Sequence, residues 1–386
     1  TPVVISRDDA AALDAADPLR SWRDEFVIPD PGLVYLDGNS LGMPARRTVE
    51  AMRRVVDEEW AGELIGAWRH WVDLPFRAGA AVAGLLGADP EEVVVHDSTT
   101  VGLYQLVHAA MGLRPDRRVL VVDPDDFPSD VYVVEGIAAR TGAEVRHGLD
   151  RLDDVAVVVR SAVDYRTTEV ADVGAETARA TEAGALVVWD LSHAVGVLDL
   201  DLHAAGVELA VGCTYKFLGA GPGAPGFTYV ARDLVARIDQ PIHGWFGRAD
   251  QFSMPSDYVP RNDIGRLLIG TPGIVGVAAV EAAATLVAEA GIGAIRAKAT
   301  RLTRLALDLG ADHGLVSPTP EDDDRRGGHV SVRHPAAGRL VERLADQRVL
   351  ADFREPDLVR LGCSPLTTRF TDVWDGVTAL ARLAGS

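Results

Sequence analysis

Lysine is scarce in this sequence of 386 residues, where Lys216 and Lys298 stand against thirty-six arginines. Lys216 lies between an apolar run typical of a strand and a glycine-rich turn, in Thr-Tyr-Lys-Phe-Leu-Gly-Ala-Gly-Pro-Gly. Arginine can carry surface charge, but its pKa is too high for it to act as an amine nucleophile. Lys216 is therefore predicted to take part directly in a reaction, as a lysine that forms a Schiff base. Lys298 has arginines around it on a predicted helix, and we expect a solvated charge there.

An acidic residue ends another apolar run, one crossover before Lys216. Asp190 follows Leu186–Trp189, and a carboxylate at the end of a buried strand is costly unless it is paired. A protonated pyridine nitrogen is such a partner, and an aspartate facing it keeps the ring electron-poor. Asp190 could equally cap the next helix, but its spacing from Lys216 favours two neighbouring strand ends and a cofactor. His193 either stacks on a ring or bonds within the core.

Hydroxyl side chains follow a third apolar run and open the next predicted helix: Ser98, Thr99 and Thr100. Hydroxyls and free backbone N–H groups at a helix start form an anion site, although an ordinary helix cap uses the same residue types. At a further strand end, Phe127 precedes Ser129 and Asp130, which begin another helix. Capping explains the last two, and an aromatic residue at that position could cover a flat ring.

Two glycine motifs point to other enzyme classes. Gly221-Pro-Gly-Ala-Pro-Gly226 fits the pattern of a dinucleotide-binding loop, but a strand-like run follows it and its prolines oppose a helix start. Gly38-Asn-Ser-Leu-Gly42 fits the nucleophile elbow of serine hydrolases. It lies very early for a central strand, and Met-Pro comes next. A serine hydrolase that uses Ser40 is kept as a remote alternative.

The elements that must position these residues alternate along the chain. Strands are predicted at Val93–His96, Val119–Val122, Val155–Val159, Leu186–Trp189, Leu209–Gly212 and Gly226–Val230. Helices are predicted at Arg46–Trp60, with Val49, Met52, Val56 and Trp60 on one apolar face, and at Leu74–Leu86, Val101–Gly112, Ser129–Thr141 and Ala171–Ala183. Several strands are apolar throughout, as parallel strands covered on both faces must be. The alternation predicts an α/β fold whose mostly parallel sheet has helices on both sides.

The C-terminal quarter reads as a smaller α/β unit. It contains predicted strands His329–Arg333 and Leu358–Leu361, a helix at Gly338–Asp346 and a final helix from Asp372. Long helices at Ile274–Glu289 and Ile292–Leu309 precede it, with a charged loop at Pro318–Gly328. We predict an N-terminal segment at 1–45 that packs on the small domain or a partner subunit, a large domain at 46–285 and a small domain at 286–386.

Composition excludes several kinds of partner. A net charge of −19 argues against nucleic acid and anionic membranes, which need basic patches. No run of about 18 uncharged apolar residues occurs, so we expect no membrane span. The N-terminus lacks the basic-then-apolar pattern of a signal peptide. Cys213 and Cys363 form neither a disulfide framework nor a metal cluster by spacing, so the expected compartment is the cytoplasm and no metal is expected.

Six segments, spread over nearly the whole chain, together resemble kynureninase: Tyr35–Gly42, Phe127–Asp130, Asp190–Gly196, Thr214–Leu218, Gly244–Gly247 and Val359–Leu366. Asp-x-x-His with a downstream lysine is shared by many fold-type-I pyridoxal-phosphate enzymes. Gly-Asn-Ser-Leu-Gly, Phe-Pro-Ser-Asp and Gly-Trp-Phe-Gly are more specific to the kynureninase family. The resemblance implies a seven-stranded-type sheet in the large domain and a homodimer with its active site at the interface.

The resemblance also implies a role for each candidate residue. Lys216 would hold pyridoxal phosphate, Asp190 would pair with its ring nitrogen and Phe127 would stack on the ring. Arg360 would grip the substrate α-carboxylate bidentately. The remaining cofactor contacts would be Ser98, Thr99, Thr100, Ser129, Asp130, Ser161, His193 and Tyr215, with Trp245 and Thr271 from a neighbouring subunit. Ser40 and Trp68 would contact the substrate.

The implied reaction is hydrolytic cleavage of the Cβ–Cγ bond of L-kynurenine or 3-hydroxy-L-kynurenine, which yields an anthranilate and L-alanine. It belongs to tryptophan catabolism, NAD biosynthesis or a related pathway. Lys216 would move the Cα proton, and Tyr215 would protonate the departing alanine fragment. Another pyridoxal-phosphate reaction, β-elimination or desulfuration, is the alternative on the same fold. A non-catalytic binding protein is a third hypothesis, against which the Lys216–Asp190 pair speaks.

The sequence departs from the family pattern near the expected aryl pocket. Gly219 stands where some relatives carry asparagine, and Thr367 stands where an aromatic residue is common. Gly270-Thr-Pro272 resembles the bacterial form more than the animal one. These positions leave the ring substituent of the substrate open. Trp68 and Trp71 are candidates to line that pocket, although two tryptophans three residues apart on a helix more often belong to the core.

Overall fold

A computed structural model of the chain describes residues 5–254 and 256–385. The first four residues of the predicted N-terminal segment and the last residue of the predicted small domain therefore lie outside the described residues. The strands are β1 (Val34–Tyr35), β2 (Val93–Val95), β3 (Val119–Val122), β4 (Glu144–His147), β5 (Val155–Ser161), β6 (Leu186–Asp190), β7 (Leu209–Gly212), β8 (Phe227–Val230), β9 (His329–Arg333), β10 (Val349–Leu350), β11 (Asp352–Arg354) and β12 (Leu358–Gly362).

The helices begin and end within three residues of the sequence predictions wherever one was made beyond residue 60. They are α1 (Arg7–Ala15), α2 (Arg46–Arg54), α3 (Ala61–Glu63), α4 (Trp68–Trp71), α5 (Leu74–Ala83), α6 (Thr99–Gly112), α7 (Pro128–Thr141), α8 (Val173–Glu182), α9 (Arg232–Val235), α10 (Ile274–Ala290), α11 (Ile292–Asp312), α12 (Ala337–Asp346) and α13 (Phe370–Ala384). Short 3₁₀-helices occupy Arg20–Glu25, Leu64–Ala67, Pro90–Glu92, Trp245–Gly247 and Ile264–Leu267, and Val55–Trp60 is π-helical.

The large sheet has seven strands in the order β2-β8-β7-β6-β5-β3-β4. Strands β3 to β7 pair in parallel, and β8 runs antiparallel to both of its neighbours, β7 and β2. The predicted α/β class and mostly parallel sheet are confirmed. The edge strand β4 was not predicted, because its residues Glu-Val-Arg-His are half-exposed and form no apolar run.

Alternating residues of each strand feed two separate cores, one on each face of the sheet. Val93 and Val95 pack into the core that contains α5 and α10, whereas Val94 packs into the core that contains α6 and α7. In β3, Val121 and Leu120 divide in the same way. Both faces are therefore covered, which is why these strands are apolar throughout.

The second sheet is small and antiparallel, in the order β11-β12-β9. Its register sets Arg360 directly opposite Asp352 on one side and Ser331 on the other. A third core joins this sheet to α11, α12 and α13. Because directly opposite residues point to the same face, one face of this sheet carries a row of polar side chains, and that face borders the site described below.

The N-terminal segment packs against the C-terminal part of the chain. Strand β1 pairs in parallel with β10. The Asp14 carboxylate accepts hydrogen bonds from the backbone of Phe370, at 2.6 Å, and of Thr371, at 3.1 Å, at the start of α13. Nothing in the structure tests whether these elements form separate domains. The predicted boundary at residues 285 and 286 falls inside α10, and the nearest break is Gly291 (φ +86°).

The prediction of a solvated charge at Lys298 is wrong. Its side chain is 6% exposed, and its ammonium contacts the Asp17 carboxylate at 2.6 Å. Burial lowers the pKa of Lys298, and the Asp17 carboxylate acts in the opposite direction. The arginines near it on α11 gave no hint of this, because the partner comes from the distant N-terminal segment.

The predicted helix from Arg46 to Trp60 is continuous in direction but buries a different face. Thr48, Ala51 and Val55 are buried, whereas the predicted apolar face ends in Val56, 39% exposed, and Trp60, 61% exposed. The apolar residues of that face therefore lie on the surface of a single chain. This unpartnered surface bears on the proposed assembly.

Among the described residues, no single helix is long and apolar enough to cross a membrane. The pair formed by α10 and α11 passes that test only when the two are taken together across a bend of 80°. Eight residues of α10 are buried, including Val277, Val280 and Leu286. The pair's apolar character thus serves the protein core.

Candidate active site

The predicted site residues gather at the C-terminal edge of the large sheet, where open α/β sheets bind their ligands. Strand β5 ends at Ser161, and the register sets this residue beside Asp190 at the end of β6. Lys216 follows β7, the next strand along. The segments that begin α6 and α7 follow β2 and β3 at the same edge. Parallel alignment alone thus brings together residues far apart in sequence.

The loop after β7 holds Lys216 in a fixed turn. Thr214 donates its hydroxyl to the Pro225 carbonyl at 2.7 Å, and the Gly219 backbone N–H donates to the Lys216 carbonyl at 2.9 Å. Gly219 has a φ of +73°, a conformation that residues with side chains rarely adopt. A second glycine, Gly226, lies so close to α6 that an added Cβ would come within 3.0 Å of the Thr99 backbone nitrogen.

The Lys216 amine lies against two of the predicted ring contacts. Its Nζ donates to His193 Nε2 at 2.8 Å and lies 5.5 Å from the centroid of the Phe127 ring. Burial, followed by the charge of Lys216, lowers the pKa of His193 well below its usual value. His193 is therefore neutral and accepts through Nε2, which leaves the proton on Nδ1. That nitrogen has no hydrogen-bond partner among the described residues.

Two carboxyl groups face each other beside the lysine. Asp190 Oδ1 accepts from the backbone N–H of Ser192 at 2.9 Å and from its hydroxyl at 2.5 Å. Burial, followed by the charge of Asp190, raises the pKa of Asp130 well above its usual range. Asp130 is thus protonated and can donate to an oxygen of Asp190. The helix-cap reading of Asp190 fails, because Ser192 lies in a turn and no helix follows.

A further acid supports Ser161 from behind. Asp126 accepts from the Ser161 backbone N–H at 3.2 Å and from Arg160 Nη1 at 2.8 Å. Burial raises the pKa of Asp126 to about 7, although Arg160 acts against that shift. No role was predicted for Asp126. The feature that could have indicated one is its position as the third acidic residue of Asp123-Pro-Asp-Asp126, directly before Phe127. Ser129 lies in the first turn of α7, just after that ring.

The hydroxyl-rich segment forms one wall of a cavity of about 320 Å³. The cavity is lined by Ser98, Thr99, Thr100, Tyr215 and Thr271 together with glycines and prolines of two loops. Ser98 caps α6, since its hydroxyl accepts from the Val101 backbone at 3.4 Å. The Thr99 hydroxyl is buried without a partner. Thr271, which the resemblance assigned to a neighbouring subunit, borders this cavity within the same chain.

Arg360 reaches the site from the small sheet, but its guanidinium is already engaged. Its Nε and Nη2 bind the two oxygens of Asp352, at 3.2 and 2.6 Å. Nη1 donates to the Tyr165 carbonyl at 2.6 Å, and Nη2 also reaches the Ser40 hydroxyl at 3.2 Å. The side chain is 1% exposed. One N–H of Nη1 is therefore the only guanidinium donor without a partner among the described residues. A bidentate bond to a substrate carboxylate would have to displace part of this network.

Asp352 is a residue that sequence reasoning missed, and it fixes Arg360. We expect Asp352→Asn to raise KM about tenfold with kcat within about threefold, because the guanidinium would lose its aim but keep its charge. The same change is expected to lower the free energy of unfolding by about 3 kcal/mol, since it breaks a buried ion pair. Steady-state kinetics and urea unfolding measure the two effects.

Arg354 provides the matched control for that substitution. It contacts the same Asp352 oxygen at 3.0 Å but is 37% exposed, so Arg354→Gln should leave KM within about twofold. Asp352→Glu should recover part of the lost affinity. An unchanged KM in Asp352→Asn would mean that Arg360 needs no such support.

Trp68 and Trp245 lie in a separate aromatic cluster within one chain. Their ring centroids are 6.0 Å apart, and Trp71, Phe246 and Phe252 complete the cluster. Across the described residues, neither indole makes a hydrogen bond or a ring contact with Lys216. A single chain therefore does not bring these two predicted contacts to the lysine.

The alternative enzyme motifs do not have the structures that their chemistry needs. Ser40 lies in a turn, and its hydroxyl donates to Asp352 at 2.6 Å; no described histidine is bonded to it. A nucleophile elbow requires a strand before the serine and a helix directly after it, so the serine-hydrolase alternative is wrong. The segment Gly221–Gly226 leads into the antiparallel strand β8 and not into a helix, which excludes a dinucleotide fingerprint there.

A second cluster of acids lies away from the site. The potential ligand atoms of Asp89, Glu92 and His203 are within 4.8 Å of one another. Glu92 accepts from the Asp89 backbone at 2.9 Å, from the Arg232 backbone at 2.8 Å and from His203 at 2.6 Å if that ring carries the proton. These bonds satisfy the carboxylate within the protein, so the cluster serves to cap a short helix.

Comparison with known proteins gives a consistent set of similarities. Residues 295–380 match the family model described as the kynureninase C-terminal domain. A kynureninase from Pseudomonas fluorescens is 39% identical over 399 residues, covering 98% of this chain and 95% of that protein. One from Deinococcus radiodurans is 41% identical over 388 residues, covering 96% and 94%. A solved cysteine desulfurase from Thermococcus onnurineus matches with a TM-score of 0.79 at 17% identity, covering 92% of this chain and 95% of that chain, a likeness of fold alone.

Proposed function

The chain belongs to the kynureninase family, and from that premise we propose that the residues around Lys216 carry out its cleavage reaction. It is a hydrolase that acts on carbon–carbon bonds and uses pyridoxal phosphate. The observation that carries the assignment of residues is the contact of the Lys216 amine with His193 and Phe127, beside the paired acids Asp190 and Asp130.

The residues present fit the cofactor. The buried Thr99 hydroxyl lacks a partner, and α6 begins at the same point with free backbone N–H groups, a setting that favours a phosphate. Asp190 suits a protonated ring nitrogen, and the Phe127 ring suits a flat heterocycle. Lys216 supplies the amine that a carbonyl requires. Ser161 and Tyr215 complete the set of polar contacts around them.

When bound, the cofactor supplies an electron sink that weakens the bonds to the substrate Cα. Asp190 would maintain that sink by holding the ring nitrogen protonated. Lys216 would take the Cα proton of the substrate and return it. Water adds its oxygen to the ketone carbon, the Cβ–Cγ bond breaks, and Cβ receives a proton. The products are an anthranilate and L-alanine, which balance one kynurenine and one water.

Tyr215 is proposed as the donor of the proton to Cβ. Burial raises the pKa of its phenol above the usual value, with a smaller contribution from Cys213. The phenol is therefore protonated at neutral pH, as a donor must be. It lines the same cavity as Thr100 and Thr271, next in sequence to the lysine. This neighbourhood supports a short path between Lys216, Tyr215 and the substrate.

The substrate assignment has a direct test. The cofactor-loaded protein is incubated with L-kynurenine and with 3-hydroxy-L-kynurenine, and the anthranilate and alanine released are quantified together. The expected result is one alanine per anthranilate from at least one substrate, and the ratio of the two kcat/KM values identifies the preferred ring. Release from neither would remove the substrate and leave the cofactor assignment standing.

The alternative reactions on this fold find less support. A desulfurase needs a reactive thiolate, but Cys213 and Cys363 are fully buried and free. Burial raises the pKa of Cys213 and raises the pKa of Cys363 to about 12, so both remain thiols. Two unpaired cysteines also suit a reducing compartment, and we propose the cytoplasm.

We propose further that the protein works as a homodimer through an exposed apolar surface. This surface, here called the helical rim, comprises Val56, Trp60, Leu64, Ile65 and Val275, between 39% and 80% exposed. Trp60 and Val275 line a groove of about 470 Å³ that shares Gly223, Pro225 and Gly273 with the cavity at Thr99. A partner seated on the rim would thus also border the cofactor cavity, where it could contribute Trp245.

The helical rim gives a prediction about assembly. We expect the double variant Trp60→Asp with Ile65→Asp to weaken self-association at least about 100-fold, because two large apolar anchors become charged. Activity should fall with the dimer fraction. Val316→Asp, at a residue that is 64% exposed and not part of the helical rim, should change neither the self-association nor the activity. Sedimentation equilibrium measures the association, and a wild-type monomer with full activity would contradict the proposal.

A further inference from the structure

His329 is a buried histidine that the reaction described above leaves without a role. It begins β9, is 0% exposed, and both nitrogens of its ring lack a hydrogen-bond partner among the described residues. The carbonyl of Arg166 lies near enough to act on the pKa of His329 as a hydrogen-bond acceptor, but it does not meet hydrogen-bond geometry with either ring nitrogen and receives the hydroxyl of Ser331. Leaving a buried polar group unsatisfied costs about 1–3 kcal/mol. Such a group in a native protein requires an explanation.

The position of His329 connects it to the substrate side of the site. The register sets Arg360 opposite Ser331, two residues beyond His329, so all three side chains share one face of the small sheet. On the other side, the His329 ring centroid is 5.9 Å from that of His193, which binds the Lys216 amine. His329 therefore shares a sheet face with Arg360 and neighbours the histidine that binds the lysine.

The charge state of His329 is that of a neutral donor. Burial, followed by the charge of Arg360, lowers its pKa well below the usual value, while the Arg166 backbone acts in the opposite direction. A neutral imidazole carries one N–H and one acceptor nitrogen. A single N–H beside an arginine suits an oxygen of an anion, and this anion must fit between Arg360 and the amine position.

The engagement of Arg360 makes a second donor necessary. Its Nε and Nη2 are held by Asp352 and Ser40, and Nη1 is bound to the Tyr165 carbonyl, so one Nη1 N–H remains. In an α-amino acid the carboxylate is one carbon away from the amine. A substrate whose amine takes the position of Lys216 Nζ would thus bring its carboxylate toward the face of the small sheet that carries His329 and Arg360.

We propose that His329 donates a hydrogen bond to one oxygen of the substrate α-carboxylate while Arg360 binds the other. His329 is thus a positioning residue for amino-acid substrates, supplied by the small sheet. The inference rests on the proposed function, because it needs an α-amino acid at Lys216. Arg360 would then bind one carboxylate oxygen, whereas the resemblance implied a bidentate grip on both.

The test compares two ligands that differ by the carboxylate. L-Alanine and ethylamine are titrated into cofactor-loaded wild type and into His329→Leu and His329→Met, with binding followed by the absorbance of the cofactor. The variants should bind L-alanine about tenfold more weakly, the loss expected for one hydrogen bond to a charged group, and ethylamine within twofold of wild type. His329→Gln, which keeps an N–H donor, should recover most of the affinity for L-alanine.

Each other outcome counts against the role of His329. Equal losses for both ligands in the variants would indicate a packing role, and no loss for either would indicate no role. Two apolar variants of different shape guard against a single misfolded protein. If the wild type itself bound neither ligand, the proposed function would fail and this inference with it. A wild type that binds L-alanine confines the result to His329.

Discussion

Replacing Lys216 by glutamine is expected to lower kcat for kynurenine cleavage by about four orders of magnitude. Glutamine keeps nearly the length of the side chain but can neither attach to a carbonyl nor carry a proton. No other described amine lies near, since Lys298 is bound to Asp17 in a different part of the chain. Anthranilate release, followed over hours at high enzyme concentration, measures the residual rate.

The same substitution at the other lysine is the matched control. Lys298→Gln removes one partner of a buried ion pair and should lower the free energy of unfolding by about 3 kcal/mol. The folded fraction should retain kcat within about twofold. A Lys216→Gln protein that kept more than about a tenth of the wild-type rate would exclude Lys216 as the proton carrier.

Asp190→Asn is expected to lower kcat by about three orders of magnitude, because a preorganised charge at the reacting system is typically worth that much. The variant should still fold. Asparagine keeps the Oδ1 that accepts from the Ser192 backbone and hydroxyl, but it cannot hold a ring nitrogen protonated. Stopped-flow and steady-state rates measure the loss, with cofactor content determined in parallel.

Asp130→Asn separates this charge effect from a general disturbance of the acid pair. Asp130 has a raised pKa and is protonated beside Asp190, so a neutral amide mimics the state already present. We expect a loss of less than about tenfold. If Asp130→Asn were as inactive as Asp190→Asn, Asp190 would not be the member of the pair that holds the ring nitrogen.

The large sheet could be predicted from the sequence because its central strands are covered on both faces. Most predicted strands from Val93 to Val230 are continuous apolar runs, and each lies within one or two residues of its position in the structure. The edge strand β4 was not predicted, since Glu144 is exposed and Arg146 is only half-buried. The predicted face of the first long helix was wrong, because Val56 and Trp60 are buried by nothing in one chain.

The site residues also divide into those with a local sequence signal and those whose role depends on contacts between distant parts of the chain. Lys216 and Asp190 were found because each follows a recognisable strand, and parallel strands end at one edge. Asp352 and His329 were not found, since their importance arises from the register of a small antiparallel sheet. Lys298 was misjudged for a related reason: Asp17 reaches it from the other end of the chain. Contacts of this kind leave no periodic pattern.

Reduction of the purified protein with borohydride, followed by peptide mapping, tests most directly whether Lys216 holds the cofactor. The purified protein should be yellow, and its cofactor should become fixed to a single peptide, the one that contains Lys216. The Lys298 peptide should remain unlabelled. A colourless protein after incubation with pyridoxal phosphate, or a label on Lys298, would show that Lys216 is not the residue that binds the cofactor.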